Sequence, residues 1–349
     1  MKTETKSRMI GLDILRILSM VLITLRHFIG YAELTKILPF LSLNGFAVQI
    51  LDIFCGSAVN IFVLISGYFL IGSTFKWSRA MKVWAETFFY SVLCFGVAAV
   101  FRLEPITSGK MMLSFLPLLT RHYWFTVAYL ALYAVSPFLN KLLNALSEKE
   151  YTVLAVGGAV LLSLWTSVVY FSEGVLTGGN TGLLWFIYLY ILGGYIKLYR
   201  HKFPKTGACL IATGVLVFAL LGYNFLSQKI GFLQNFSALE DDSIFELALS
   251  VLLFLIFQSV SCKCAFWNKI VVFIASCSFG VYLIQESCML RQWLWHDLIK
   301  PDAIADRWYL IPVAVSVVIG LFVAAIAGHK IFALLFGCCE RLFCKKNRR

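Results

Sequence analysis

Stretches of about 20 apolar residues recur ten times along this chain of 349 residues. They fall at 10–30, 47–71, 80–101, 122–143, 151–171, 182–199, 206–226, 243–261, 270–293 and 308–337. At about 1.5 Å of rise per residue, a helix of that length crosses a hydrocarbon layer of about 30 Å. In lipid a segment must satisfy its own backbone N–H and C=O groups, which a helix does and an open strand does not. Composition agrees, since 60% of the residues are hydrophobic, 14% are charged and the mean hydropathy is +0.84. The chain is predicted to be an all-α polytopic integral membrane protein with about ten transmembrane helices.

Charge sets its orientation. With the N-terminus in the cytoplasm, 20 of the 30 Lys and Arg residues fall on inner segments and 8 on outer ones, leaving Arg16 and Arg26 within the first run. That bias predicts ten spans with both termini cytoplasmic. The net charge of +12 suits nucleic acid only in total, because the basic residues are dispersed over short loops; no nucleic-acid partner is expected. The first run is too long and too charged for a cleaved signal peptide and reads as a retained span. No loop exceeds about 20 residues, so residues 1–349 form one transmembrane domain with no attached soluble domain. The basic tail from Lys345 to Arg349 should meet anionic lipid headgroups. Of the ten cysteines, five lie in apolar runs as small buried hydrophobes. Cys262, Cys264, Cys338, Cys339 and Cys344 lie at inner ends without the ligand spacing of a metal site, so no metal is expected.

The first run carries the chemistry. It holds Asp13, Arg16, Arg26 and His27, although a charge at mid-helix costs at least about 2.5–3.5 kcal/mol. Such groups persist where they face a bundle interior or a watery cavity. From Arg16 to His27 is about three turns plus 20°, so the two share one helical face about 16 Å apart. Each alone has a plainer reading, Arg16 as a snorkelling anchor and His27 as an interfacial residue. Together, with Asp13 one turn before Arg16, they form a polar stripe aimed at the interior, and they are the candidate catalytic pair.

Other residues join them. The fourth run begins with His122 and Trp124 at the outer side, where His122 could approach His27, although Trp there also suits the interfacial belt. Lys76, Arg79 and Lys82 recur every three residues into the third run, a basic face suited to phosphates and also to topology. Glu286, in the outer half of the ninth run, lies at the depth of Arg26, and a structural ion pair is preferred there over a catalytic acid. Ser66-Gly67 and Gly193-Gly194 read as close helix packing rather than a phosphate cradle.

The sequence resembles the acyltransferase family 3 membrane proteins, which O-acylate bacterial cell-surface glycans. The resemblance is carried by Leu12-Asp13-Ile14-Leu15-Arg16 and Arg26-His27, matching an Arg-x10-His signature, and by the segment from Phe62 to Tyr68. It continues through His122-Tyr123-Trp124-Phe125 with Tyr133 and Pro137, Trp185-Phe186-Ile187 with Gly193-Gly194-Tyr195, and Ser278-Phe279-Gly280-Val281-Tyr282-Leu283-Ile284. It implies ten helices, acetyl-CoA as acyl donor, Arg16 and His27 as essential residues, and a cell-surface or lipid-linked glycan as acceptor. Where the family often carries Arg-x3-Arg entering the third helix, this chain has Lys76, Arg79 and Lys82. Where many members have a histidine after Tyr-Leu-Ile, it has Gln285, which receives no catalytic role. On this reading Lys76, Arg79 and Lys82 hold the phosphates and Arg16 the arm of the donor. His27 acts as general base or as nucleophile, with Asp13, Arg26, His122, Trp124 and Glu286 in support. The rival reading is a transporter or flippase for a glycan or lipid-linked sugar, which also needs polar residues inside a bundle. A scaffold held by its charges and an intramembrane hydrolase are the weaker alternatives; Gly-x-Ser-x-Gly and His-Glu-x-x-His are both missing.

Overall fold

The computed structural model describes residues 8–120, 122–168, 182–230 and 238–346, with side chains to residue 336. Lys2, Lys6, Arg121, the side chains of Cys338, Cys339 and Cys344, and the basic tail lie outside the described residues. Among the described residues, each apolar run is mostly helix. In chain order these are α1 (Ile10–Tyr31), the short α2 (Leu34–Ile37), α3 (Leu43–Gly56), α4 (Ala58–Leu70), α5 (Trp77–Phe101), the short α6 (Ser108–Phe115) and α7 (Trp124–Ala145). Then follow α8 (Glu148–Ala159), a π turn (Val160–Leu164), α9 (Trp165–Val168), α10 (Leu183–Leu198), α11 (Thr206–Ser227), α12 (Ile244–Gln258), α13 (Ala265–Gln285) and α14 (Leu310–Lys346).

Seven helices among the described residues are long and apolar enough to cross a membrane, fewer than the ten expected. They are Leu43–Leu70 (α3 with α4), α5, α7, Glu148–Val168, α11, α13 and α14 as far as Phe336. The shortfall has a physical cause at each remaining run. α1 spans 22 residues but carries Asp13, Arg16 and Arg26, and α10 and α12 are apolar but only 16 and 15 residues long. α1 and α10 bury most of their residues against other helices, so protein rather than lipid meets those side chains. α10 buries Trp185, Phe186, Tyr190 and Ile196 completely or nearly so. In contrast, α11 presents Leu210, Ile211, Val215 and Phe218 outward, as a lipid-facing helix should.

α1 packs against α3, α4, α12 and α13 and so runs through the middle of the bundle. Small residues let the helices approach. A Cβ on Gly67 would strike the Tyr190 backbone, one on Gly193 the Leu64 carbonyl, and one on Gly11 the Phe257 carbonyl. Close α4–α10 packing is thus built into Gly67 and Gly193, in accord with the sequence reading of both glycine pairs.

Buried polar bonds then fix the register. Asn140 Nδ2 donates to the Leu70 carbonyl (3.0 Å) and Asn140 Oδ1 accepts from Tyr190 Oη (2.7 Å), joining α4, α7 and α10. Tyr90 Oη donates to the Ala325 carbonyl across α5 and α14 at 2.8 Å. α13 stops at Gln285, earlier than the run to 293 suggests, with Glu286 as its C-cap. The chain then crosses the end of the bundle through a π turn (Trp293–Ile299) and a 3-10 turn (Pro301–Ile304) before α14.

Candidate active site

Three cavities lie in a row beside α1. The largest, about 580 Å³, is lined by Arg8, Met9, Asp13, Arg16, Tyr68 and Lys197, with Phe69. A second, about 290 Å³, also meets Arg16, together with Ser66, Lys82, Glu86 and Tyr129. The third, about 90 Å³, holds His27, Arg26, Trp124, Tyr282 and Asp241. Phe62, Phe125 and Phe279 line both the second and the third. Arg16 thus lines two of these cavities and His27 the third, on the far side of the Phe62, Phe125 and Phe279 rings.

Local structure explains Arg16. Asp13, one turn earlier and 6% exposed, accepts from Arg16 Nη1 (3.2 Å) and from Arg8 Nε (2.7 Å). A single buried carboxylate thus holds two guanidinium groups at the cavity wall and offsets their mutual repulsion. Lys197, in the last turn of α10, adds a third cation to the same wall, with Nζ donating to the Ile71 carbonyl (3.3 Å) and 5.6 Å from the Tyr68 ring.

His27 is held on both sides. Its Nε2 lies 3.2 Å from Glu286 Oε1, while Glu286 Oε2 lies 3.7 Å from Arg291 Nη1. The Tyr31 and Trp295 rings pack at 5.6 and 6.2 Å from the imidazole. Its Nδ1 is buried without a hydrogen-bond partner in the protein. The carboxylate stands beside Nε2 at ion-pair distance, while Nδ1 makes no hydrogen bond to the protein. Leaving a buried acceptor unmet costs about 1–3 kcal/mol, and a substrate hydroxyl is a group that would meet it.

Arg26 takes a different partner from the one expected. Its Nη1 lies 2.7 Å from Asp241 Oδ1, and Glu286 pairs instead with His27 and Arg291. Side-chain direction decides this: Arg26 and His27 are adjacent on a helix, about 100° apart, so they cannot both face one carboxylate. Asp241 reaches Arg26 because its turn is pinned. Asn60 Nδ2 donates to the Asp241 carbonyl (2.6 Å), Trp185 Nε1 donates to Asn60 Oδ1 (2.9 Å), and Ser163 Oγ donates to the Asp242 carbonyl (2.8 Å). Ser243 then caps α12 by accepting from Glu246 N–H (3.1 Å).

The remaining expected residues divide. Trp124 lines the chamber. His122 does not line it; its Nε2 accepts from the Cys288 backbone N–H at 2.7 Å, so it fastens the chain after α13. Of the basic row, Lys82 lines the second cavity, while Lys76 and Arg79 are exposed and line none of the three. Lys76 is the N-cap of α5, its backbone N–H donating to Tyr133 Oη at 2.9 Å. A three-residue repeat advances about 300° per step on a helix, so the row drifts around it and only one end can face the cavity. Gln285 is fully buried with Nε2 3.9 Å from Met20 Sδ. Sequence reasoning missed Lys197 and Asp241 as site residues and Trp295 as a wall of the histidine. Only the run Glu240-Asp241-Asp242 at an outer loop, opposite an intramembrane arginine, could have signalled one of them.

Fold and site together define a class: a multi-pass helical membrane protein with a cation and an imidazole lining neighbouring interior cavities. A family model described as an acyltransferase domain, Acyl_transf_3, matches residues 9–328. The chain belongs to that acyltransferase family and is a membrane acyltransferase. Comparison with curated proteins and with solved structures gives no match.

Proposed function

We propose that this protein moves an acetyl group from acetyl-CoA on the cytoplasmic side to a hydroxyl of a cell-surface or lipid-linked glycan, in the bacterial cytoplasmic membrane. The observation that carries this reading is the row of cavities joining Arg16 to His27. The 16 Å or so between the two side chains, from helix rise, is comparable to the reach of a pantetheine arm. A coenzyme A nucleotide is polyanionic, and the residues that suit it are Arg8, Arg16 and Lys197 around the largest cavity, with Lys82 beside the second. Lys76 and Arg79 are exposed near the mouth and would steer the anion rather than grip it.

In the chamber, His27 takes the proton of the acceptor hydroxyl as its oxygen attacks the thioester carbonyl. The new ester C–O bond forms, the C–S bond breaks, and the proton passes to the leaving thiolate. Glu286 at 3.2 Å stabilises the imidazolium that forms, which favours a general base over an acyl-histidine intermediate. Arg26 and Asp241 offer a donor and an acceptor to neighbouring sugar hydroxyls, and Trp124 offers a flat face to the ring.

The test uses expressing membranes given acetyl-CoA labelled in the acetyl group. The wild type should place label in membrane glycan, while His27→Ala and Arg16→Ala should leave it at background with protein still in the membrane. Full labelling by either variant overturns the mechanism. A flippase would show no dependence on the thioester at all.

A further inference from the structure

Glu86 of α5 and His329 of α14 face one another inside the bundle, and the mechanism above uses neither. Glu86 is 7% exposed. Its Oε1 lies 3.7 Å from His329 Nδ1, beyond hydrogen-bond reach, and both atoms are buried without a hydrogen bond in the protein. The register that opposes them is built into the two helices. Four residues along α5 and four back along α14, Tyr90 Oη donates to the Ala325 carbonyl at 2.8 Å. Gly328 leaves the room that the Tyr90 ring needs, since a Cβ there would fall 2.8 Å from it. Phe273 packs at 76° to the imidazole with ring centroids 6.5 Å apart, which backs His329 against its partner.

Glu86 also lines the cavity of about 290 Å³, where the other polar side chains are Arg16, Ser66, Lys82 and Tyr129. Arg16 and Lys82 can only donate hydrogen bonds, while Ser66 and Tyr129 can donate or accept. Ser66 Oγ already donates to the Phe62 carbonyl at 3.0 Å. Glu86 alone is purely an acceptor. A carboxylate is the wrong sign for a wall that meets phosphates, so it answers to a different part of the ligand. The pantetheine arm of an acyl-CoA carries amide N–H groups, and these need acceptors once they leave water. The cavity touches Arg16 at one limit and, at another, the Phe62, Phe125 and Phe279 rings that border the chamber of His27. A donor running from the one to the other would lay its arm, rather than its nucleotide, beside Glu86.

We propose that Glu86 is a donor-binding residue that accepts a hydrogen bond from an amide N–H of the pantetheine arm, and that His329 is a positioning residue that holds its carboxylate at the cavity wall. The inference rests on the acyl-CoA reading above and gives a role to two residues which that reading leaves idle.

Charge and hydrogen bonding call for opposite outcomes, which makes the pair testable. A Glu86 that only repels a polyanion would lower KM for acetyl-CoA when removed, and a Glu86 that holds an amide would raise it. In expressing membranes given acetyl-CoA labelled in the acetyl group, Glu86→Leu should raise KM about tenfold, as expected for one hydrogen bond to a charged group, with kcat changed less. Glu86→Gln keeps a neutral carbonyl acceptor and should raise KM about threefold. His329→Leu should raise KM severalfold in the wild-type chain and leave it unchanged in the Glu86→Leu chain, because it acts through the carboxylate. A Glu86→Leu KM at or below the wild-type value overturns the inference and leaves acyl transfer standing. If Glu86→Leu is inactive or absent from the membrane, Glu86→Gln decides by the same criterion. A His329→Leu effect that is nil, or equal in both backgrounds, overturns the positioning role. A wild type that transfers nothing from acetyl-CoA overturns the acyl-CoA reading itself and this inference with it.

Discussion

His27 and Glu286 lie 3.2 Å apart, Nε2 to Oε1, although one belongs to α1 and the other ends α13. The carboxylate stands beside one imidazole nitrogen, and the other, Nδ1, is buried with no hydrogen bond to the protein. That arrangement is what a proton acceptor needs, because the charge that appears on the ring during transfer is met where it forms.

Removing the carboxylate should therefore lower turnover more than binding. A positioned general base contributes about 10²–10⁴-fold, and Glu286→Gln, which keeps a hydrogen-bond acceptor but no charge, should forfeit part of that. Glu286→Ala should forfeit more, with KM for acetyl-CoA changed less than kcat in both. Initial rates of labelled acetyl transfer check this. Variants that raise KM and leave kcat intact would place Glu286 in binding instead.

The cations at the other end should show the opposite split. Arg8 and Lys197 line the cavity of about 580 Å³ with Arg16 and do not line the chamber that holds His27. Arg8→Gln and Lys197→Gln should each raise KM for acetyl-CoA about tenfold, which corresponds to one charge-assisted phosphate contact of about 1.5 kcal/mol. Both effects should shrink at high salt, where the wild type itself binds less well. Arg79→Gln, at an exposed position clear of the cavities, should change KM by less. Equal KM values across all three would remove the phosphate assignment.

How far the sequence led follows from which interactions are local. The apolar runs mark the helices because each must satisfy its own backbone, and the Arg16–His27 stripe was readable because both lie on one helix with known pitch. The Arg26–Asp241 pair was not readable. It joins α1 to the turn before α12, and several outer carboxylates were equally plausible partners until packing of Asn60 and Trp185 settled the turn. Lys197 looked like an ordinary inner-loop charge, since a lysine ending an apolar run carries the same signal whether it faces headgroups or a cavity. The span count of ten treated every apolar run alike. α10 and α12 are shorter because buried helices need not match the thickness of the lipid, and α1 is more charged because its neighbours are protein.

Asp241 should give the reaction an acidic limb. Burial pushes its carboxyl up to about 6, against the pull of Arg26 at 2.7 Å, and Glu240, Asp242 and Asp52 push in the same direction as burial. The folded chain thus holds this proton more tightly than the unfolded one. Its stabilising contribution is present at low pH and is lost as pH rises through about 6. The proposed transfer would need the other state, with an ionised Asp241 accepting from an acceptor hydroxyl and keeping Arg26 oriented. Labelled acetyl transfer should rise between about pH 5 and pH 7 in the wild type, and Asp241→Asn should be slower at neutral pH with that rise flattened. The same variant should gain thermal stability over the wild type above pH 6 relative to pH 5, because it has no proton to lose. An Asp241→Asn profile parallel to the wild type would assign the limb to another group and leave Asp241 as a structural anchor for Arg26.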